Sequence, residues 1–166
     1  MSKYPVINAG TTPAVTVLQE MLPDIAVKSS ATSRASTTTL TADPHLVVSL
    51  EANAVYEFDL DLSYNGGTNG SSDLKFAFTG PSGYSMTFGT LLVAIPAGVT
   101  LGGGTQASTL VSGSVGTSTP LYARVSGTVT TSTTAGSLTL TWAQNTSSAT
   151  NTTLTTGCKM RVKRQA

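Results

Sequence analysis

The sequence predicts an all-β domain, an antiparallel β-sandwich of the jelly-roll kind, preceded by a short N-terminal arm with one short helix. Three observations carry that prediction. The stretch 54–64, AVYEFDLDLSY, alternates strictly, with Tyr56, Phe58, Leu60, Leu62 and Tyr64 on one side and Val55, Glu57, Asp59, Asp61 and Ser63 on the other. Successive side chains of a strand point to opposite faces, so this is a half-buried strand with an apolar inner face and an acidic outer one. The whole chain gives about eight to ten short strands with turn signals between them, and no β-α alternation interrupts them. No repeat of fixed period suggests a solenoid or a propeller.

At 166 residues the chain is long enough for one domain with a genuine core and an appended terminal segment. The net charge is +1 and only 10% of residues are charged, far below the usual quarter. Clustered Lys and Arg, the footprint of a nucleic-acid binder, are missing, so no nucleic acid is expected as a partner. Hydroxyls stand in for charge, since Ser and Thr make up roughly 30% of the chain. Such a surface suits a protein that keeps much of itself for other protein chains. The single cysteine, Cys158, excludes an internal disulfide and a cysteine metal cage. The N-terminal MSKYPVINAG has no apolar core of a secretion signal, and no apolar run approaches the ~20 residues that span a bilayer. No membrane insertion is expected, and the Asn-x-Ser/Thr triplets at Asn69, Asn145 and Asn151 are read as turn chemistry.

Residues 1–27 form the expected arm and 28–166 the sandwich. Thr12 is a suitable N-cap with Pro13 at the first helical position, and Pro23 stops the helix. Between them Val15, Leu18 and Leu22, with Met21 beside them, make one apolar stripe. A helix over 13–22 is too short to persist alone in water, so the stripe must dock, either on its own sandwich or on another subunit. The second is the reading adopted, with Val15, Leu18, Met21 and Leu22 as the particle-attachment residues. Strands begin near Asp24. Ser29–Thr41 is a hydroxyl-rich ribbon, Ala42-Asp43-Pro44 a turn, and His45–Leu50 a run buried on both faces. After Glu51-Ala52-Asn53 comes the central strand, then the loop 65–72, NGGTNGSS. Leu74, Phe76 and Phe78 face inward in the next strand, and 80–83 turns the chain. Tyr84–Phe88 and Thr90–Ile95 are expected as two shorter strands, and the triple glycine within Val99–Gly104 as a loop tip. Ala107–Val115 and Leu121–Thr131 are expected as longer strands, with Gly127 marking a bulge or a close backbone approach. Leu138, Leu140 and Trp142 share a face, as do Cys158, Met160 and Val162, opposite Lys159, Arg161 and Lys163.

The stretch Lys28–Tyr64 resembles a segment of virion proteins from phages that infect actinobacteria. The resemblance rests on the Thr-Ser-Arg-x-Ser-Thr-Thr-Thr-Leu ribbon at Thr32–Leu40, the Asp-Pro-x-Leu turn at Asp43–Leu46 and Glu-Ala-Asn-Ala-x-Tyr at Glu51–Tyr56. Asp73–Phe76, Gly80–Gly83 and Gly157–Lys163 are similar to the same family, and Thr16–Pro23 looks like the element preceding the domain in tail-fibre relatives. The resemblance implies a non-enzymatic protein on the exterior of a virion assembled in the bacterial cytoplasm, tail-associated or of fibre type, and a homotrimer. It implies that the arm engages another virion protein of the tail or the major capsid protein. Longer tail-fibre members continue into receptor-binding regions, whereas this sequence stops at Ala166, which brings a capsid decoration protein into view as the alternative.

Glu57, Asp59 and Asp61 lie about 7 Å apart along one face, and a flat row neither converges on a cation nor faces itself across a cleft. No metal, cofactor or catalytic role is therefore assigned to them. Their expected partner is the basic row Lys159, Arg161 and Lys163, as cross-strand neighbours within the chain or across a subunit boundary. His45 has no second histidine beside it, and Cys158 alternates inward as a buried, inert thiol. A carbohydrate-binding module is the competing class. In that reading Tyr64 and Tyr84, next to loops, would be exposed platforms for a host cell-surface glycan.

Overall fold

The computed structural model describes residues 22–67, 73–94 and 98–165. Its strands are β1 (Asp24–Val27), β2 (Thr32–Arg34), β3 (Thr41–Leu50), β4 (Val55–Asn65), β5 (Leu74–Thr79) and β6 (Ser85–Ala94). The return half holds β7 (Gly98–Thr105), β8 (Leu110–Ser112), β9 (Leu121–Thr130), β10 (Gly136–Gln144), β11 (Thr152–Leu154) and β12 (Lys159–Arg164). These strands form one nested hairpin. β6 pairs β7, β5 pairs β8, β4 pairs β9, β3 pairs β10, β2 pairs β11 and β1 pairs β12, all antiparallel. Rolling this long ribbon brings further pairs together: β9 with β6, β10 with β5, and both β11 and β12 with β4.

Two sheets result. The larger runs β1-β12-β4-β9-β6-β7, with β11 and β2 attached beside β4, and the smaller runs β3-β10-β5-β8. From β3 to β10 this is the connectivity of a jelly roll, a double hairpin wrapped into a sandwich. The inner side of β4 is buried throughout, from Tyr56 to Tyr64. It meets Leu74, Phe76 and Phe78 of β5 and Leu138, Leu140 and Trp142 of β10 in one core. The four phenylalanines pack edge to face, Phe58 on Phe78 at 5.6 Å and Phe78 on Phe88 at 5.7 Å between ring centroids. That arrangement sets the positive rim of one ring against the negative face of the next and welds the sheets together.

Several sequence expectations are corrected here. Asp24–Val27, assigned to the arm, is a strand of the larger sheet. The helix over 13–22 lies, apart from Leu22, outside the described residues, and there is no helix among those described. Ala42-Asp43-Pro44 sits inside β3, yet the turn chemistry is real: Ala42 opposes Thr141 and Val47 opposes Thr139, so four residues bulge opposite Leu140. β3 is an edge strand, where a missing proline N–H costs no ladder bond. His45–Leu50 is buried on one face only. Ser85–Ala94 is one strand where two were expected, because its inner face continues unbroken through Met86, Phe88, Thr90 and Leu92. The glycines of 102–104 lie within β7, paired to β6, and the long strand expected over 107–115 shrinks to Leu110–Ser112.

Gly127 shows why its position admits no side chain. It pairs Phe58 on one side and Phe88 on the other, and a Cβ there would lie 2.1 Å from the Thr87 carbonyl oxygen. We expect Gly127→Ala to cost about 2–3 kcal/mol of stability, because the obstacle is backbone and cannot rotate away. Urea denaturation measures it; a loss below half a kcal/mol would contradict the close approach.

Candidate functional site

The outer face of the larger sheet is where the structure places the charged residues singled out from the sequence. Lys159 opposes Asp61, Arg161 opposes Asp59 and Lys163 opposes Glu57, all within one chain. Lys159 Nζ lies 3.5 Å from Asp61, and the Arg161 guanidinium donates to Asp59. From the other flank Arg124 of β9 reaches Asp59 at 3.4 Å and Asp61 at 3.6 Å. Glu57 accepts a hydrogen bond of 3.2 Å from the Gln165 amide. Partial burial would push the Asp59 carboxyl up, but hydrogen bonds and charge from Arg161 and Arg124 hold it below the usual carboxylate range. The acids are thus flanked by bases drawn from both neighbouring strands. The shallow hollow lined by Pro23, Glu57, Asp59, Arg161 and Lys163 is floored by this ladder. Such an arrangement zips β12, β4 and β9 together; it aims no pair of acids at a common point.

The second polar centre is internal and was not expected from the sequence. Asp43, in the bulge of β3, is fully buried. One oxygen accepts the Lys28 ammonium at 2.7 Å and the Trp142 indole N–H at 3.0 Å. The other accepts the backbone N–H groups of His45 at 2.9 Å and Leu46 at 3.2 Å. Lys28, equally buried, also donates to Thr32 Oγ1 at 2.7 Å and lies 3.4 Å from His45 Nδ1. Arg34 stacks 4.0 Å over the Trp142 ring and donates to the carbonyls of Thr41, Ala42 and Trp142. Burial pushes the Asp43 carboxyl up, but the Lys28 ammonium, the backbone donors and the indole outweigh it and leave it below its ordinary value. Lys28 follows β1 in the larger sheet, while Asp43 and Trp142 belong to the smaller one, so the cluster bridges the two sheets. Asp-Pro followed by an apolar run was the visible trace of it; the lysine lies fifteen residues earlier, with no local signal of its own.

The tyrosine platform is corrected. Tyr64 is fully buried in the core, and its hydroxyl hydrogen-bonds Ser112 Oγ at 2.7 Å and the Gly113 carbonyl at 2.6 Å. Burial pushes its hydroxyl up to about 12. Tyr84 is half-buried, its ring laid against Gly80 and its hydroxyl donating to the Phe78 carbonyl at 3.1 Å. Inward alternation and the absence of an unclaimed hydroxyl leave Tyr64 nothing to offer a sugar. Cys158 is buried, its thiol pushed up by desolvation and in contact with the backbone of Ser63. Of the attachment residues, Val15, Leu18 and Met21 lie outside the described residues, and Leu22 is exposed just ahead of β1.

No protein-family model matches the sequence, and no curated protein matches it. Among solved structures, chains from the Gt and Gx strains of infectious bursal disease virus align with 85% and 86% of this chain. They do so at TM-scores of 0.27 and 0.21 and identities of 9% and 10%. This chain spans 40% of each of theirs, and likeness at this level carries no argument about function.

The Asp43 cluster makes two measurable demands. Asp43→Ala should cost about 3–5 kcal/mol, because it strands a buried ammonium, and Lys28→Met should cost less, since the indole and two backbone donors still hydrogen-bond the carboxylate. Because the folded-state pKa of Asp43 is depressed, its stabilising contribution is present above the unfolded value near ~3.9 and is lost as pH falls through the folded value. Urea midpoints measured from neutrality down to acid should therefore fall more steeply in the parent than in Asp43→Asn. Parallel acid profiles would contradict the assignment.

Proposed function

We propose that this chain is a non-enzymatic structural protein on the exterior of a bacteriophage particle, tail-associated, and held there by the segment ahead of β1 through Val15, Leu18, Met21 and Leu22. The observation that carries this reading joins the sequence resemblance to the geometry. The residues on which the resemblance rests serve as clamps of the fold. Arg34 holds the Trp142 ring and the carbonyls around it, Asp43 ties the sheets, and the Tyr56 hydroxyl accepts the Glu51 backbone N–H at 2.8 Å. Asn53 takes the left-handed conformation that its turn requires, at φ 53°. A segment shared for such reasons is shared as a scaffold, and a jelly roll is a scaffold that virion proteins use repeatedly. Leu22, the one attachment residue among those described, is exposed just ahead of β1, which supports an apolar stripe that docks on another protein rather than in this core. The capsid decoration role differs only in where on the particle that partner sits.

Gold-labelled antibody against the chain, applied to purified particles, should mark the tail. Label confined to the head would select the decoration role, and unlabelled particles would defeat the virion reading. Leu18→Asp combined with Met21→Asp should leave the folded domain intact by circular dichroism and reduce incorporation into particles at least tenfold. Undiminished incorporation would show that attachment uses another surface.

A further inference from the structure

We propose that β7 is a self-association edge, at which a second copy of this chain adds its own β7 antiparallel about a two-fold axis at Leu101. This inference stands independently of the virion reading.

The strand order leaves β1, β2 and β7 at the edges of the larger sheet and β3 and β8 at those of the smaller. An edge strand presents a row of unpaired N–H and C=O groups, and proteins that must stay single defend it with charge, proline, bulges or brevity. Four of these edges carry such a defence. β1 has four residues and includes Asp24, β2 has three and includes Arg34, β3 holds Asp43 and Pro44 in a bulge, and β8 is only three residues long. β7 has none: Gly98–Thr105 reads GVTLGGGT, eight residues with no charge and no proline, in unbroken register with β6 from end to end. It is exposed along nearly its whole length.

The outer side of this edge is also apolar. Following the register across the larger sheet, Val27, Lys159, Asp61, Arg124, Leu91 and Leu101 form one transverse row. The charges at its centre are paired with one another, whereas its β7 end is hydrocarbon. Leu101 is 78% exposed and Val99 61%, with Leu91 beside them. A two-fold axis normal to the sheet sets each β7 residue opposite its mirror position. Centred on Leu101, it places that side chain against its counterpart, with Val99 opposite Gly103 on the same face. The row then continues as Leu91, Leu101, Leu101, Leu91, and two neutral strands meet without like charges in register. The occupant must be an extended, uncharged strand with an apolar outer row, and β7 itself meets that description; an acidic or basic peptide would gain nothing from this edge. A single strand pair buries less than the ~1,200 Å² of a standard interface, so the dimer should be concentration-dependent. It is distinct from the three-fold assembly that the sequence resemblance implies, which would have to use other surfaces.

Sedimentation velocity of the full chain over a wide concentration range should show a monomer passing to a dimer. Leu101→Lys sets two ammonium groups opposite one another at the axis and should remain monomeric throughout, with an unchanged melting curve because the site is exposed. Under mild oxidation Leu101→Cys should run as a covalent dimer, since directly opposed strand positions fall within disulfide reach. Ser126→Cys, on the same outer face but in the middle of the sheet, should not. The native Cys158 is buried and does not compete. A chain that stays monomeric, an oligomer that survives Leu101→Lys, or equal cross-linking at 101 and 126 would each overturn the proposal.

Discussion

The buried carboxylate of Asp43 is the constraint on which the rest of this structure leans. A carboxylate removed from water is tolerable only when its lone pairs are taken, and here four donors take them. Those donors come from the segment after β1, from β10 and from the bulge of β3 itself. Satisfying one charge therefore fixes how the beginning of the chain, its middle and its return half meet. Trp142 adds a second lock, because the ring that donates to Asp43 is also the surface on which Arg34 lies.

The nested pairing explains why a single internal cluster has such reach. In a ribbon where β1 pairs β12 and β6 pairs β7, each outer pair is positioned by the pair inside it. Entropy of chain closure grows only slowly with loop length, but pairs such as β1 with β12 join the two ends of the domain and add little area of their own. The Asp43 cluster ties the segment after β1 to β3 and β10, and the charge ladder ties β12 to β4 and β9 on the solvent face. The phenylalanine quartet lies where the inner strands β4, β5 and β6 face one another, and there hydrocarbon suffices.

The same outer face carries both faces of the protein's surface economy. Its centre is neutralised by its own salt bridges, each worth little in water but together specifying the register of three strands. Its β7 margin is uncharged and uncovered. A low proportion of charge in the chain is thus spread unevenly: ion pairs gather on β12, β4 and β9, and the free edge has none.

Much of the strand content was legible in the sequence by itself. Alternation placed the inner faces of β4, β5, β9, β10 and β12 correctly, since a period of two needs no partner to be recognised, and the rows of acids and bases announced that β12 and β4 could pair. What local pattern could not carry was anything decided by distant neighbours. Tyr64 alternates inward whether or not a loop follows it, and only the packed sheet shows that its hydroxyl is already spent on Ser112 and Gly113. The glycines of 102–104 signal a bend in isolation and become a strand because β6 supplies a ladder for them. Strand character was legible from Asp24 onward, but Asp24–Val27 belongs to the larger sheet rather than to an arm because β12 lies beside it. Lys28 carries no local signal of its role. Its burial against Asp43 depends on two sheets closing over it, and that pairing exists only in the folded chain.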